Sequence, residues 1–120
     1  MVDALGLPID FKITGGQIND NVPAIELLEG KNSENVIADK AYDTDKIRQA
    51  LWRDGKQAVI PNNQKRSQKY KYDKHLYKER HLVECFIGWI KNFRRIATRY
   101  EKLATMYSGM VILGCILAWI

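Results

Sequence analysis

Cysteine is scarce in this sequence, and a leader segment is not recognisable at its start. The two cysteines, Cys85 and Cys115, are too few for a disulfide framework and do not form a C-x-x-C pair. We therefore expect buried thiols in a reducing, cytoplasmic setting. Residues 1–6 carry no basic region followed by a long apolar run, so no signal peptide is predicted. Hydrophobic residues make up 46% and charged residues 28%, which excludes a wholly disordered chain or a coiled coil.

Acidic residues are few in the second half of the chain. Residues 61–120 hold 12 Lys and Arg against 4 Asp and Glu, a balance of +8. Residues 1–60 hold 7 against 10, a balance of −3, and the whole chain has a formal charge of +5. A basic surface suits either a nucleic acid or a membrane, and composition leaves both open. The 120 residues suffice for one small core, in one domain or in part of a larger one.

Only one uncharged run approaches the length of a membrane helix. It covers residues 103–120, near the lower length limit for crossing a bilayer. The run includes Thr105, Ser108, Gly109 and Gly114, and no charged residue follows it. We therefore interpret it as a helix buried on all sides in a soluble core, and we expect no membrane partner.

The first thirty residues predict a hairpin arm and a short helix. Apolar and polar residues alternate over residues 7–14, which is typical of a half-buried strand. Residues 3–6 resemble a hairpin turn, so the strand needs an upstream partner that we expect to be missing from the chain. A helix is predicted over residues 21–29, because Pro23 suits its first turn and Gly30 suits its C-terminal cap.

Two short apolar runs flank a helical segment in the middle of the chain. Residues 35–39 and 58–60 predict strands, and Asp43 or Thr44 is suited to cap the helix between them. Such a strand–helix–strand crossover makes its two strands parallel. Asp39 is the last residue of the first strand, at the sheet edge where sites form in open parallel sheets.

A basic segment follows the second strand, and its residues 62–74 include no apolar residue other than tyrosine. We name residues 62–76 of this segment the basic loop. It includes the cations Lys65, Arg66, Lys69 and Lys71 and the aromatic residues Tyr70 and Tyr72. One interpretation is a mobile, solvated linker. The other is a DNA contact, in which the cations meet phosphates and the tyrosines stack on bases or pack on sugars.

Two further helices are predicted towards the C-terminus. The first covers residues 74–95, and its buried stripe is predicted to consist of Leu82, Phe86, Trp89 or Ile90, and Phe93. The second covers residues 100–120, is apolar nearly all round, and is expected to lie against the sheet.

Four polar residues of the helix predicted over 74–95 share one face. Tyr77, Arg80, Glu84 and Lys91 are separated by 3, 4 and 7 positions. At about 100° per residue these intervals place a carboxylate beside two cations and a phenol. An ordinary salt-bridged helix surface would give the same residue types, so geometry alone leaves both interpretations open.

The intervals between these residues resemble a known family signature. The pattern Tyr77-x-x-Arg80-x-x-x-Glu84, with Lys91 seven positions later, resembles the tyrosine–arginine–glutamate–lysine signature of bacterial insertion-sequence transposases of the DDE class. The segment Asp39-Lys40-Ala41-Tyr42 resembles the second-aspartate motif of the same family. The order of strand, Asp39, helix, strand, basic loop and Glu84 helix also matches, and the resemblance covers most of the chain.

The resemblance implies an α/β fold with a ribonuclease-H-like mixed sheet, flanking helices and long C-terminal helices. It implies that Asp39 and Glu84 are catalytic ligands of two Mg²⁺ ions, which carry phosphoryl transfer at transposon ends. Tyr77, Arg80 and Lys91 would contact the DNA near the cleaved phosphate. The basic loop would add further DNA contacts. The two neighbouring cations would keep Glu84 ionised.

One departure from the family pattern concerns the first aspartate of the catalytic triad. It belongs on an opening strand, and neither Asp3 in the predicted turn nor Asp10 in the predicted strand suits that place. We therefore expect residues 1–120 to be a C-terminal part of a transposase catalytic domain. Its partners would be DNA, the N-terminal transposase segment and, in the complete enzyme, a second copy in a homodimer. The isolated chain is expected to be inactive and marginally stable, with an unpaired sheet edge.

The sequence is compatible with three hypotheses about function. The chain is a part of an active transposase, or an inactive remnant that only binds DNA, or a small basic protein anchored to a membrane by residues 103–120. The DNA-binding remnant would use residues 65–80 together with Arg94, Arg95 and Arg99.

Overall fold

The computed structural model describes residues 1–12, 21–93, 96 and 104–120. The chain divides into two compact units, residues 14–80 and residues 1–13 with 81–120. Within these residues the helices named here are α1 (Asn21–Leu28), α2 (Asp45–Arg53), α3 (Lys74–Tyr77), α4 (His81–Ile90) and α5 (Ala104–Trp119). The strands are β1 (Asn35–Ile37) and β2 (Gln57–Val59), and short 3-10 turns cover Lys40–Tyr42 and Lys78–Arg80. The predicted α/β class is confirmed.

The unit of residues 14–80 contains the predicted crossover. β1 and β2 pair in parallel, with Val36 opposite Ala58 in the centre of the register. Thr44 caps the connecting helix α2 by accepting a hydrogen bond from the backbone N–H of Ile47. Gly55 follows the helix with a φ of +69°, a conformation that residues with a Cβ rarely adopt. The prediction of two parallel strands joined by a capped helix is therefore correct.

The core of this unit lies between α2 and the sheet. Ile47 and Leu51 point inward from α2, one turn apart, and Val59 and Ile60 at the end of β2 are fully buried against them. Each buried aliphatic side chain stabilises the fold by roughly 1.5–3 kcal/mol. Leu28 of α1 is also buried, and its carbonyl oxygen accepts a hydrogen bond from the ammonium of Lys56.

The second unit begins with a hairpin. Asp3 accepts hydrogen bonds from the N–H groups of Leu5 and Leu7, and Gly6 completes the turn with a φ of +82°. Val2 forms an antiparallel bridge with Pro8. The turn predicted at residues 3–6 is correct, and the expectation that the opening strand is missing from the chain stays a prediction. Of the strand predicted over residues 7–14, only Pro8 is bridged, residues 9–12 form no strand, and residues 13 and 14 lie outside the described residues.

The single helix predicted over residues 74–95 is wrong in its continuity. Asp73 caps the four-residue helix α3, the backbone then tightens into the 3-10 turn of Lys78–Arg80, and α4 follows it. A 3-10 turn advances about 120° per residue, so the shared-face arithmetic for residues 77–91 does not carry across it. α4 ends at Ile90 in i+3 bonded turns, and residues 94 and 95 lie outside the described part of the chain.

The buried stripe of α4 is narrower than predicted. Ile90 is buried, Leu82 and Phe86 are half-buried, and Trp89 and Phe93 are exposed. Ile90 joins Ile96 and Val111 in a small cluster, against which Phe11 and Met110 pack. Tyr107 of α5 closes this cluster by donating its hydroxyl hydrogen to the carbonyl oxygen of Ile96.

The interpretation of the C-terminal run as a helix is confirmed over its described part, but its complete burial is wrong. Six large apolar residues of α5 are exposed, namely Met106, Ile112, Leu113, Ile116, Leu117 and Trp119. The reason is that the small cluster around Val111 covers one side of α5, while its other sides carry apolar residues too. Among the described residues, no helix is long and apolar enough to span a bilayer.

The expectation of buried thiols is wrong for one of the two cysteines. Cys85 is exposed on α4. His81 and Trp89, which lie one helical turn before and after it on the same side of the helix, are exposed as well. Cys115 is partly buried on α5, and this burial raises the pKa of its thiol, although the N-terminal ammonium opposes the rise.

Two glycines of α5 provide a matched test of this packing. A Cβ at Gly114 would lie 3.1 Å from the Cδ1 atoms of both Ile90 and Ile96, whereas a Cβ at Gly109 would meet nothing within 4 Å. Gly109→Ala is expected to raise the free energy of unfolding by up to about 1 kcal/mol through helix propensity. The free energy of unfolding of Gly114→Ala should be at least about 1 kcal/mol lower than that of Gly109→Ala, because the added methyl group crowds the cluster. Urea unfolding of both variants checks this, and equal stabilities would contradict the described packing.

Candidate functional site

Asp39 lies two residues beyond β1, at the carboxyl edge of the parallel sheet. Its backbone is extended, and its Oδ1 accepts a hydrogen bond of 2.9 Å from the N–H of Ala41, which caps the following 3-10 turn. Its Oδ2 lies 4.0 Å from Nη1 of Arg80, and the side chain is partly exposed. One oxygen therefore holds the local turn, while the other faces a cation across a solvent-accessible opening.

Tyr77 and Arg80 lie across this opening from Asp39. The guanidinium of Arg80 is 5.9 Å from the centre of the Tyr77 ring, in the range of a cation–π contact. A groove of about 380 Å³ is lined by Asp39, Lys40, Ala41, Pro61, Tyr77 and Arg80. The structure thus brings together residues from two segments nearly forty positions apart in sequence, the Asp39 motif and the start of the Tyr77 signature.

The groove combines hard oxygen donors with positive charge. A carboxylate is the ligand type that Mg²⁺ prefers, and the Asp39 side chain fits the role of one such ligand. Within the described residues, no three His, Cys, Asp or Glu side chains come together closely enough to hold a metal ion. Arg80 and the exposed Lys40 place two cations around the same opening, which suits an anionic phosphate backbone.

Glu84 and Lys91 belong to the other unit, which contains residues 1–13 and 81–120. Glu84 is exposed in the first turn of α4, and Lys91 is exposed directly after the last residue of this helix. The metal-binding role of Glu84 and the DNA-binding role of Lys91 stay predictions. Arg94, Arg95 and Arg99 lie outside the described residues.

Arg66 of the basic loop is engaged by two carboxylates. Its Nε donates to Oδ2 of Asp43 at 3.0 Å, and its Nη1 donates to Oδ1 of Asp45 at 2.7 Å. These contacts raise the pKa of Arg66 still further, first through Asp45 and then through Asp43. The guanidinium is largely covered, so the loop is anchored to α2 at this point.

The three lysines of the predicted DNA-binding set differ in their contacts. The ammonium of Lys69 donates hydrogen bonds to the backbone carbonyl oxygens of Asn63 and Gln64 and so holds the loop together. Lys65 and Lys71 are exposed, and in the described part of the chain their ammonium groups make no ion pair or hydrogen bond. Of the predicted set, Lys65 and Lys71 are therefore best placed to meet an external anion.

The tyrosines of the basic loop make contacts within the protein. The Tyr70 ring lies 4.6 Å from the guanidinium carbon of Arg48 and 5.1 Å from that of Arg66. Tyr72 meets the ring of Tyr77 edge to face, with centroids 5.9 Å apart. Through Tyr70 and Tyr72 the loop therefore contacts Arg48 of α2 and Tyr77 of α3.

The sequence interpretation missed the residue that organises this region. Asp43 is buried and accepts hydrogen bonds from the Arg48 side chain, the Asn63 backbone N–H and the Arg66 side chain. Burial by itself raises the pKa of Asp43, but the bonds from Asn63, Arg48 and Arg66 outweigh it, and the pKa lies below its usual value. Asp43 and Thr44 both suited the helix cap and only one could occupy it, but this local ambiguity does not reveal the distant partners of Asp43.

Comparison with known proteins shows the family of the chain. The family model described as "Transposase DDE domain" matches residues 1–119. The chain belongs to the DDE transposase domain family. Its recognition as an insertion-sequence DDE transposase chain is therefore confirmed, and its general function is DNA transposition.

Two relatives differ in the share of their own length that the chain covers. A Brucella ovis protein named as a transposase for insertion sequence element IS6501 is 44% identical over 122 residues, which cover the whole chain and 94% of that protein. A Burkholderia cepacia protein named as a transposase for IS402 is 30% identical over 129 residues, which cover 98% of the chain but 59% of that protein. No solved structure matches the chain.

Proposed function

We propose that this chain provides the metal-binding and DNA-contacting part of a transposase that cleaves and transfers strands at transposon ends. The observation that carries the proposal is the groove in which Asp39, Tyr77 and Arg80 meet. A carboxylate at the edge of a parallel sheet beside an arginine suits phosphoryl transfer, which needs a hard-oxygen metal ligand and a cation near the phosphate. We propose a ribonuclease-H-like fold for the catalytic domain to which the chain belongs.

The residues of the chain take separate roles in this proposal. Asp39 and Glu84 hold the metal ions through their carboxylate oxygens. Two Mg²⁺ ions, when bound, supply activation of a water or 3′-hydroxyl and stabilisation of the leaving oxygen. Arg80 attracts the phosphate from its place 4.0 Å from Asp39, and the ring of Tyr77 supports the guanidinium. Lys91 adds a phosphate contact from the end of α4.

The partners of this chain follow from the same proposal. DNA is the substrate at the transposon ends and at the target. The first metal-binding aspartate would come from an N-terminal transposase segment, and the complete enzyme would work in the bacterial cytoplasm, as a homodimer if it pairs two transposon ends. The alternative is an inactive remnant that keeps DNA binding, which is supported by the exposed lysines of the basic loop and needs no complete metal site.

The DNA-binding part of the proposal has a quantitative test. The 120-residue chain is expected to bind a short linear duplex with an affinity that falls steeply as salt rises, because phosphate contacts release counterions. Lys65→Gln and Lys71→Gln should each reduce the magnitude of the logarithmic salt slope by about 0.9, the value of one phosphate contact. Fluorescence anisotropy at several salt concentrations measures this slope.

Arg53→Gln is the matched control for these lysine variants. Arg53 is exposed at the C-terminal end of α2, roughly 12 Å along the helix axis from Asp45, where the loop is anchored. The substitution changes the charge by the same amount and should leave the salt slope unchanged. Salt-insensitive binding, or an equal loss of slope in all three variants, would count against a DNA contact by the basic loop.

A further inference from the structure

Asp43 is the most completely enclosed carboxylate of the described chain. Its side chain is 0% exposed, and both of its oxygens are used. Oδ1 accepts from Nε of Arg48 at 2.5 Å, while Oδ2 accepts from the backbone N–H of Asn63 at 2.6 Å and from Nε of Arg66 at 3.0 Å. Two of the three donors belong to the basic loop. A buried charge of this kind is retained only when its hydrogen bonds are satisfied, as they are here.

Arg48 extends this contact to the second strand. Its Nη2 donates a hydrogen bond of 3.0 Å to the carbonyl oxygen of Ile60, the residue that follows β2 and leads into the loop. The guanidinium groups of Arg48 and Arg66 also lie against the ring of Tyr70, 4.6 Å and 5.1 Å from its centre. Asp43 therefore joins the start of α2, the end of β2 and the middle of the basic loop in one connected set of contacts.

The basic loop is closed on itself around this anchor. The side-chain amide of Asn62 donates to the carbonyl oxygen of Tyr70 at 2.7 Å, and its oxygen accepts from the N–H of Tyr70 at 2.8 Å. Lys69 binds two further loop carbonyl oxygens. These bonds within the loop favour one conformation in the absence of a ligand, and the exposed cations of the loop include Lys65 and Lys71.

We propose that Asp43 is a positioning residue that orders the basic loop for nucleic-acid contact. Through Asn63 and Arg66 it fixes the loop, so that DNA binding does not have to order a flexible segment. Arg66 then acts as a structural cation, and Lys65 and Lys71 are the cations presented to phosphates. This inference rests on the proposed function, because it assigns the loop to DNA binding.

The sign of the Asp43→Asn effect distinguishes positioning from simple electrostatics. The substitution removes one negative charge, so an electrostatic role alone would strengthen binding to a polyanion. Asparagine keeps the shape of the side chain but has one acceptor oxygen where aspartate has two. Its NH₂ group is a donor and cannot accept a hydrogen bond from the N–H groups that face it. Loss of loop order should therefore weaken DNA binding in spite of the more favourable charge.

Limited trypsin digestion and duplex binding by the 120-residue chain test this inference together. Asp43→Asn is expected to increase the rate of cleavage within the basic loop about tenfold or more, because the loop loses bonds to a charged acceptor. It is also expected to weaken duplex binding about fivefold, because the freed loop must be ordered again on the DNA. The matched control is Asp45→Asn, since Asp45 also pairs with Arg66 but has a 72% exposed side chain. It should change loop cleavage less than about twofold, as exposed ion pairs contribute little.

A second variant decides the question if Asp43→Asn does not fold. Arg66→Lys keeps the charge but cannot span Asp43 and Asp45 with a planar fork of donors, so it should increase loop cleavage about threefold. Circular dichroism establishes that each variant is folded. Unchanged loop cleavage in the folded variants would overturn the inference, and so would stronger DNA binding with a steeper salt slope. A wild-type chain that binds no duplex would instead refute the proposed DNA contact, whatever the digestion shows.

Discussion

Asp39→Asn and Glu84→Gln are each expected to reduce strand cleavage at transposon ends by about a hundredfold or more. Each substitution removes a carboxylate charge from the proposed metal site but keeps the size of the side chain. Metal-held stabilisation of a phosphoryl-transfer transition state is worth several kcal/mol, and 1.36 kcal/mol corresponds to a factor of ten in rate. The measurement is cleavage of labelled transposon-end DNA by the complete transposase, with Mg²⁺ as the added metal.

Asp54→Asn is the control for this pair of substitutions. Asp54 is an exposed carboxylate that follows α2, so the variant has the same change of charge without a place in the groove. Its cleavage rate should stay within about twofold of the wild type, as expected for a surface substitution. Cleavage that survives both Asp39→Asn and Glu84→Gln would refute the proposed catalytic role. Duplex binding retained by both variants would show that the loss concerns chemistry rather than DNA contact.

Leu51→Ala is expected to lower the free energy of unfolding by about 2–5 kcal/mol. Leu51 is 1% exposed on α2, which lies against β2, and Ile47, Val59 and Ile60 of these segments are buried as well. Truncation leaves a cavity that this small core cannot refill, because the strands on its other side are only three residues long. Single domains have a total stability of about 5–15 kcal/mol, so the variant should be close to unfolding. Urea titration followed by circular dichroism measures the effect.

Trp52→Ala is the matched control, at the neighbouring position of the same helix. Trp52 is 82% exposed, so its removal should change the free energy of unfolding by less than about 0.5 kcal/mol. If the hydrophobicity of the removed side chain alone decided stability, Trp52→Ala would be more destabilising than Leu51→Ala. If Trp52→Ala proved as destabilising as Leu51→Ala, the direction in which α2 faces the sheet would be wrong. Circular dichroism is preferred to fluorescence here because the control removes a fluorophore.

The exposed apolar side of α5 supports one earlier expectation about the isolated chain. Ile112, Leu113, Ile116 and Leu117 are exposed on this helix, although their types usually lie inside proteins. Large exposed apolar patches are typical of interaction surfaces and of chains that aggregate. The expectation of marginal stability or aggregation for the isolated chain therefore stays a prediction, and the structure offers this surface as its physical basis.

Local patterns were sufficient for the crossover and for the family. Short apolar runs with a capped helix between them leave few alternatives to a parallel pair, because the connection is long enough for a crossover and the helix needs one buried side. The family signature likewise depends on intervals within single segments. The prediction of one continuous helix over residues 74–95 failed because the apolar periodicity does not reveal the 3-10 turn of Lys78–Arg80. The charged residues of that turn are compatible with either helix type.

The buried role of Asp43 could not be predicted from local sequence patterns. Next to Thr44 it has the sequence features of a helix cap, and only its partners 20 and 23 positions later reveal a buried anchor. The contacts of Arg66 with Asp43 and Asp45 could not be predicted for the same reason, since the two carboxylates lie in a distant segment, and its DNA-binding role stays a prediction. Spacing between neighbouring residues cannot report such contacts.

The sequence by itself determined the family, the parallel crossover with Asp39 at its edge, and the excess of positive charge in the second half. These features depend on residue types and intervals within one segment, which remain the same whether the chain is folded or not. The tertiary structure decided which charges face outward. It paired Arg66 with buried and surface carboxylates, placed Arg80 4.0 Å from Asp39 and left Lys65 and Lys71 exposed. That outcome depends on burial and on long-range hydrogen bonding, because a buried carboxylate must take its partners from whichever segments the fold brings to it.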